Sequence, residues 1–169
     1  MKIIASGILA LFISFTASAQ EEPHAYWALG GSLLTFDDGF DSIEPKQVFG
    51  RLGYEFNANF GIGFEGGFSL IEDEVFGVDF DVSTTFFYLR ASIPIGSDSK
   101  LYAMIGPTNV EITASAGGGS LSADDNDTGI GFGFENNLGT SSIFVDYIIY
   151  NDNDGVDVYA INLGLSTPF

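Results

Sequence analysis

The sequence predicts an all-β chain: an eight-stranded antiparallel up-and-down transmembrane β-barrel, preceded by a cleavable signal peptide. Three observations carry that expectation. A short apolar leader ends in a triplet of small residues. The remainder alternates apolar with small or polar residues and holds no apolar stretch of spanning-helix length, so a membrane protein of this composition is restricted to a closed barrel. The charged residues inside those alternating runs fall on the face opposite the outward aromatic ones.

Lys2, the apolar run Ile3 to Phe15 and the triplet Ala17-Ser18-Ala19 form the three-part layout of a secretory signal peptide. The run is shorter than the ~20 apolar residues of a spanning helix. Cleavage before Gln20 is therefore expected, dividing the chain into a signal peptide over 1–19 and one barrel domain over 20–169. About 150 mature residues support a single core. With no Cys, neither a lipoprotein anchor nor a disulfide framework is available. Five Lys+Arg against 23 Asp+Glu give a net charge of -18, which argues against nucleic acid or an anionic surface as a partner of a basic patch.

Alternation places the strands in order. The first spans Ala25 to Phe36 and its partner Gln47 to Phe56, closed by the Asn57-Ala58-Asn59 turn. In the third, Phe60 to Leu70, residues Phe60, Ile62, Phe64, Phe68 and Leu70 share one face, and Gly61, Gly63, Glu65, Gly67 and Ser69 the other. The fourth runs Phe80 to Ile93 and the fifth Leu101 to Ala114, where Pro107 interrupts the pattern and suggests a bulge. The sixth, Thr128 to Leu138, sets Ile130, Phe132, Phe134 and Leu138 against Gly129, Gly131, Gly133, Glu135 and Asn137. The seventh runs Ser142 to Tyr150 and the eighth Val156 to Phe169.

The connections near Asn57, Ser97 and Gly139 are short, and those near Asp37, Glu72, Gly117 and Asn151 mostly longer, an asymmetry of barrels with short turns at one end and long loops at the other. Arg51, Glu55, Glu65, Arg90, Glu135 and Asp146 occupy the non-aromatic face. An ionised group facing hydrocarbon costs ~2–4 kcal/mol at the midplane, whereas in a narrow lumen two arginines can satisfy several carboxylates. These six are expected to form a structural ion-pair network. Trp27, Tyr147 and Tyr159 are expected in the outward interfacial girdle.

The segment Arg51-Leu-Gly-Tyr-Glu-Phe-Asn-Ala-Asn-Phe-Gly-Ile-Gly-Phe-Glu65, the triplet Val145-Asp146-Tyr147 and the closing stretch Tyr159 to Phe169 together resemble the small outer-membrane β-barrel proteins related to the transmembrane domain of OmpA and to OmpX. The resemblance covers essentially all of the mature chain. Tyr159, Ile161, Leu163, Leu165 and Phe169 are similar to the C-terminal signal read by the barrel-assembly machinery, with Thr167 and Pro168 departing from its common Tyr-Arg. It implies a bacterial outer-membrane barrel with periplasmic termini, contacting membrane lipid and lipopolysaccharide, and expected to be a monomer.

Other motifs yield to this scaffold. Gly61-Ile-Gly63-Phe-Glu-Gly66 fits G-x-G-x-x-G, but no helix follows to complete a dinucleotide site. Asp124, Asn126, Thr128, Gly129 and Glu135 trace an EF-hand spacing, yet the residues after Gly129 alternate as a strand. The four external loops are acidic, and Asp124, Asp125, Asp127, Asp152 and Asp154 are candidates for divalent-cation binding against the alternative of a solvated acidic surface. His24 is the only His, so no catalytic site and no cofactor are expected. Three function classes follow: a structural or surface-presenting barrel, a narrow pore, and a secreted soluble lipocalin-like barrel with an apolar lumen.

Overall fold

The computed structural model describes residues 22–37, 42–71, 73–75, 78–116, 119–153 and 156–169. Eight long strands make the wall: β1 His24–Asp37, β2 Lys46–Asn57, β3 Phe60–Ile71, β4 Val78–Ile95, β5 Ser99–Ala116, β6 Gly119–Asn137, β7 Ser142–Asn153 and β8 Val156–Pro168. Each pairs antiparallel with its sequence neighbour, and β8 pairs with β1 from Tyr26↔Pro168 to Asp37↔Asp157, closing the sheet. The Phe169 amide also donates to the Ala25 carbonyl at 2.9 Å across that seam. Two short strands, Ser42–Ile43 on β1 and Asp73–Val75 on β4, add to one end.

The alternation read from sequence sorts the wall into two faces. Leu29, Leu52, Phe64, Leu89, Phe132 and Leu163 are between 47 and 61% exposed. Arg51, Glu65, Arg90 and Asp146 are buried. A surface so apolar around a charged interior is the inverse of a soluble barrel, so the lipocalin-like alternative is set aside.

The inward face differs from expectation in carrying aromatic rings as well as small and charged groups. Space for them comes from inward glycines directly opposite in register: Gly30 faces Phe49, Gly53 faces Tyr26, Gly63 faces Tyr88, Gly133 faces Tyr102 and Gly164 faces Phe144. A β-carbon at any of these five would overlap the facing ring. The inward glycines are thus sockets for rings that lie flat across the neighbouring strand.

The turns at one end follow from local chemistry. The Asn57 side chain accepts from the amides of Asn59 and Phe60 at 2.8 and 3.0 Å, and Asn137 accepts from Gly139 at 2.7 Å, the side-chain mimicry of a turn that Asn favours. Gly96 and Gly139 have φ of 73° and 105°, which a side chain would strain.

At the opposite end three expectations change. β5 and β6 run on to Ala116 and from Gly119, pairing as far as Ala116↔Gly119. The region expected as a long third loop is therefore mostly strand, and Asp124, Asp125 and Asp127 lie on β6. Asp37, expected at the first long connection, likewise lies on β1, opposite Asp157 of β8. Pro107 introduces no bulge: Phe86↔Thr108 and Leu89↔Ile105 keep one register, with Pro107 exposed and Thr108 buried in continued alternation. Register shifts lie elsewhere: between Val158 and Tyr159, opposite Tyr150 on β7, and on β2 between Lys46 and Gln47 and between Glu55 and Asn57.

Candidate functional site: the filled lumen and the acidic ribbon

Two charged clusters and an apolar layer fill the barrel. In the first cluster, Arg51 on β2 lies in register with Glu65 on β3 and is ion-paired to it. Its Nη1 and Nη2 donate to Asp146 of β7 at 2.6 and 3.0 Å, a fork-on-carboxylate arrangement that only a planar guanidinium makes. The Tyr102 hydroxyl donates to Asp146 at 2.7 Å and the Tyr150 hydroxyl to Glu65 at 2.5 Å. The guanidinium carbon lies 5.0 and 4.7 Å from the ring centres of Phe49 and Phe144. Side-chain exposure of this trio is 4, 1 and 0%.

The second cluster lies nearer the short turns. Arg90 reaches Glu55 at 3.2 Å and Glu135 at 2.5 Å, and Lys100 reaches the same two carboxylates at 2.9 and 3.8 Å. The Arg90 guanidinium stacks 3.9 Å from the Tyr102 ring, which ties the two clusters together through one tyrosine. A cavity of about 130 Å³ opens beside this cluster, lined among others by His24, Glu55, Arg90, Lys100 and Glu135. All six lumen residues singled out in the sequence face inward; Lys100 was missed. Its signal was parity: Lys100 shares the face of Tyr102 and Met104, two and four residues on.

Towards the other end the lumen is closed by apolar side chains. Leu34, Phe36, Val82, Phe86, Met104, Ile148 and Val158 pack as one buried cluster with Tyr88 and Tyr150. The rings of Phe86 and Tyr88 are 5.1 Å apart. Between these regions Ser32 and Asn162 sit in register, and the Ser32 hydroxyl and both polar atoms of Asn162 are buried with no protein partner.

Beyond the apolar layer β4, β5 and β6 continue as a ribbon. Asp124 and Asp125 are exposed on β6, Asp127 half-buried, and Glu111 is exposed on β5 opposite Asp124. Asn151 donates to Asp125 at 2.5 Å. The backbone of Asp152 pairs with Asp157 on β8, while Asp154 and Glu72 lie outside the described residues. Among the described residues no group of three carboxylates or imidazoles is placed to hold a metal ion.

The terminal strand turns Tyr159, Ile161, Leu163, Leu165 and Phe169 outward, as the alternation requires. Trp27 and Tyr147 are exposed on the same outer surface, and the rings of Tyr147 and Tyr159 are 5.7 Å apart.

The model of the outer membrane protein beta-barrel domain family matches residues 7–169. Among solved structures, the attachment invasion locus protein Ail of Yersinia pestis is similar at 21% identity and a TM-score of 0.70, over 88% of this chain and all of that one. Neisserial surface protein A is similar at 13% identity and a TM-score of 0.68, with the same coverage. The N-terminal β-barrel domain of OprF from Pseudomonas aeruginosa gives 14%, 0.63, 89% of this chain and all of that one. No curated protein sequence matches.

Proposed function

This chain belongs to the outer-membrane β-barrel family and crosses the bacterial outer membrane as a multi-pass barrel, and we propose that it acts there as a sealed, non-catalytic scaffold that holds the acidic ribbon out of the membrane. The observation that carries this reading is the filled lumen. Seven ionised groups pair with one another across it, and an apolar layer closes it above them. An ion crossing would have to break those pairs and then pass packed apolar side chains, so the pore reading is the weaker one. Purified protein in planar bilayers is expected to give no conductance steps above leak. Reproducible ohmic steps from the unmodified chain would replace the scaffold with a pore.

In this reading the short turns and both termini face the periplasm and the ribbon faces outward. The outward apolar run of β8 with its terminal Phe169 serves recognition by the assembly machinery. The barrel functions as a monomer, with lipid and lipopolysaccharide acyl chains against its apolar belt. Its acidic end takes cations as a diffuse counterion cloud rather than in a built site, because the described carboxylates do not converge. Calcium should then raise the melting temperature no more than magnesium does at equal concentration; a calcium-selective rise abolished by Asp125→Asn would sink this. The Ail barrel has been solved with sucrose octasulfate, a heparin analogue. A polyanion has no counterpart here, since Lys46 is the one exposed Lys or Arg among the described residues.

A further inference from the structure

Of the chain's asparagines, Asn126 alone is followed two positions on by a hydroxyl residue with no proline between them, in Asn126-Asp127-Thr128. That is N-x-[ST], the acceptor motif for an N-linked oligosaccharide in an exported chain. Two residues earlier stands Asp124, which completes D-x-N-x-T, the longer form with an acid that bacterial transferases demand. A motif so short is decided by where its side chains stand.

The two-residue period of β6 supplies that placement. Asp124, Asn126 and Thr128 alternate with Asp125 and Asp127, so the three motif side chains share one face of the strand. All three are exposed, on the outer face that carries Ile130, Phe132 and Phe134 further along β6. Asp125 is turned the other way, where Asn151 of β7 donates to it. Ile130 is the last apolar side chain on the outer face, and Asn126 lies four residues beyond it, about 13 Å along the strand. A bulky, hydrophilic group on Asn126 therefore stands clear of the apolar belt and displaces no packed side chain.

The local contacts fit an acceptor. Asn126 is in register with Asn109 of β5, whose Nδ2 donates to the Asn126 side-chain oxygen at 3.2 Å. The amide nitrogen, the atom that would carry the sugar, is thus the one turned away from β5. Asp124 meets Glu111 across the same two strands, a like-charge pair that costs stability in a sheet. The fold gains nothing from an acid at 124, whereas an acceptor motif requires one.

We infer that Asn126 is an N-glycosylation site, taking an oligosaccharide from a polyprenyl-diphosphate-linked donor while the exported chain is still unpaired. In that transfer the Asn126 amide nitrogen attacks the anomeric carbon of the first sugar. The N–C bond forms as the bond from that carbon to the diphosphate oxygen breaks; the amide proton passes to a base of the transferase, and polyprenyl diphosphate leaves. The Asp124 carboxylate and the Thr128 hydroxyl are the groups by which the transferase holds the extended segment. The inference rests on the scaffold reading for one point, that the ribbon stands outside the membrane.

The test is mass spectrometry of the full chain purified from the outer membrane of the bacterium that makes it. The chain is expected to be heavier than its polypeptide by one oligosaccharide, which fragmentation places on Asn126. Asn126→Gln and Thr128→Val should return it to the bare mass, Thr128→Ser should keep the sugar, and Asp124→Asn should lower the modified fraction at least tenfold. A parent chain at its bare mass would overturn the inference, as would a sugar that survives Asn126→Gln or Thr128→Val. Heat-dependent gel mobility and bilayer conductance of the same samples report on the barrel itself, so a failed scaffold and an unmodified Asn126 are told apart.

Discussion

The two charged clusters inside the barrel use the same residue types to opposite ends. Around Arg51 one cation serves two carboxylates, each also held by a tyrosine hydroxyl, and none of the three charged side chains exceeds 4% exposure. Around Arg90 two cations share two carboxylates, exposure reaches 16% at Lys100, and a cavity lies alongside. The first cluster has one arrangement that satisfies it. The second has several, because either cation can neutralise either carboxylate and water can reach the group. Burial of an ion pair is weak evidence for stability by itself; what differs is the cost of removing one partner, which scales with how completely the remaining charge is cut off from water.

That difference is sharpest at Arg51. Arg51→Met leaves Glu65 and Asp146 facing each other in a dry interior and is expected to cost about 3–5 kcal/mol, read from urea unfolding followed by heat-dependent gel mobility. Adding Glu65→Gln and Asp146→Asn should restore most of it, and a triple variant no better than the single one would mean that ring packing by Phe49 and Phe144 matters more than charge. Arg90→Met should cost less, about 1.5–3 kcal/mol, since Lys100 remains to serve Glu55 and Glu135. An equal loss at both arginines would erase the contrast between the clusters. Lys100→Met is expected to cost about 0.2–1 kcal/mol, within the range of a water-accessible ion pair.

The division of labour inside the lumen was only half legible in the sequence. Parity sufficed to set Arg51, Glu65 and Asp146 on one face, because a period of two fixes the face of every residue once a strand's phase is known. It did not show that Arg51 and Asp146, distant in sequence, meet across the barrel, since closure by β8 on β1 sets that distance. Inward tyrosines and phenylalanines escaped notice for a related reason. In isolation Tyr26 or Phe49 looks like one more residue for the lipid face, and only cross-strand register shows the glycine opposite that makes room for it. The acidic ribbon was misread as loop because Asp and Asn over 124–127 are turn formers by local preference. There the long ladder with β5 overrides local preference, the ordinary outcome when many neighbours outvote one residue's propensity.

The smallest expected effect lies between the clusters and the apolar layer, at Asn162. Its side chain is fully buried on β8, in register with Ser32 on one side and Asp146 on the other, and neither its oxygen nor its nitrogen has a protein partner. A buried amide without partners costs desolvation and returns nothing, unless enclosed water satisfies it. Asn162→Leu removes both unsatisfied atoms at similar volume. Replacing such a group by an apolar one of like shape can be nearly neutral or stabilising. The variant is therefore expected to unfold within about 1 kcal/mol of the parent or above it. A clear loss of stability would show that Asn162 is solvated by water bound between it and Ser32. It would also extend the polar interior of the barrel one layer beyond the Arg51 cluster, up to the edge of the apolar layer.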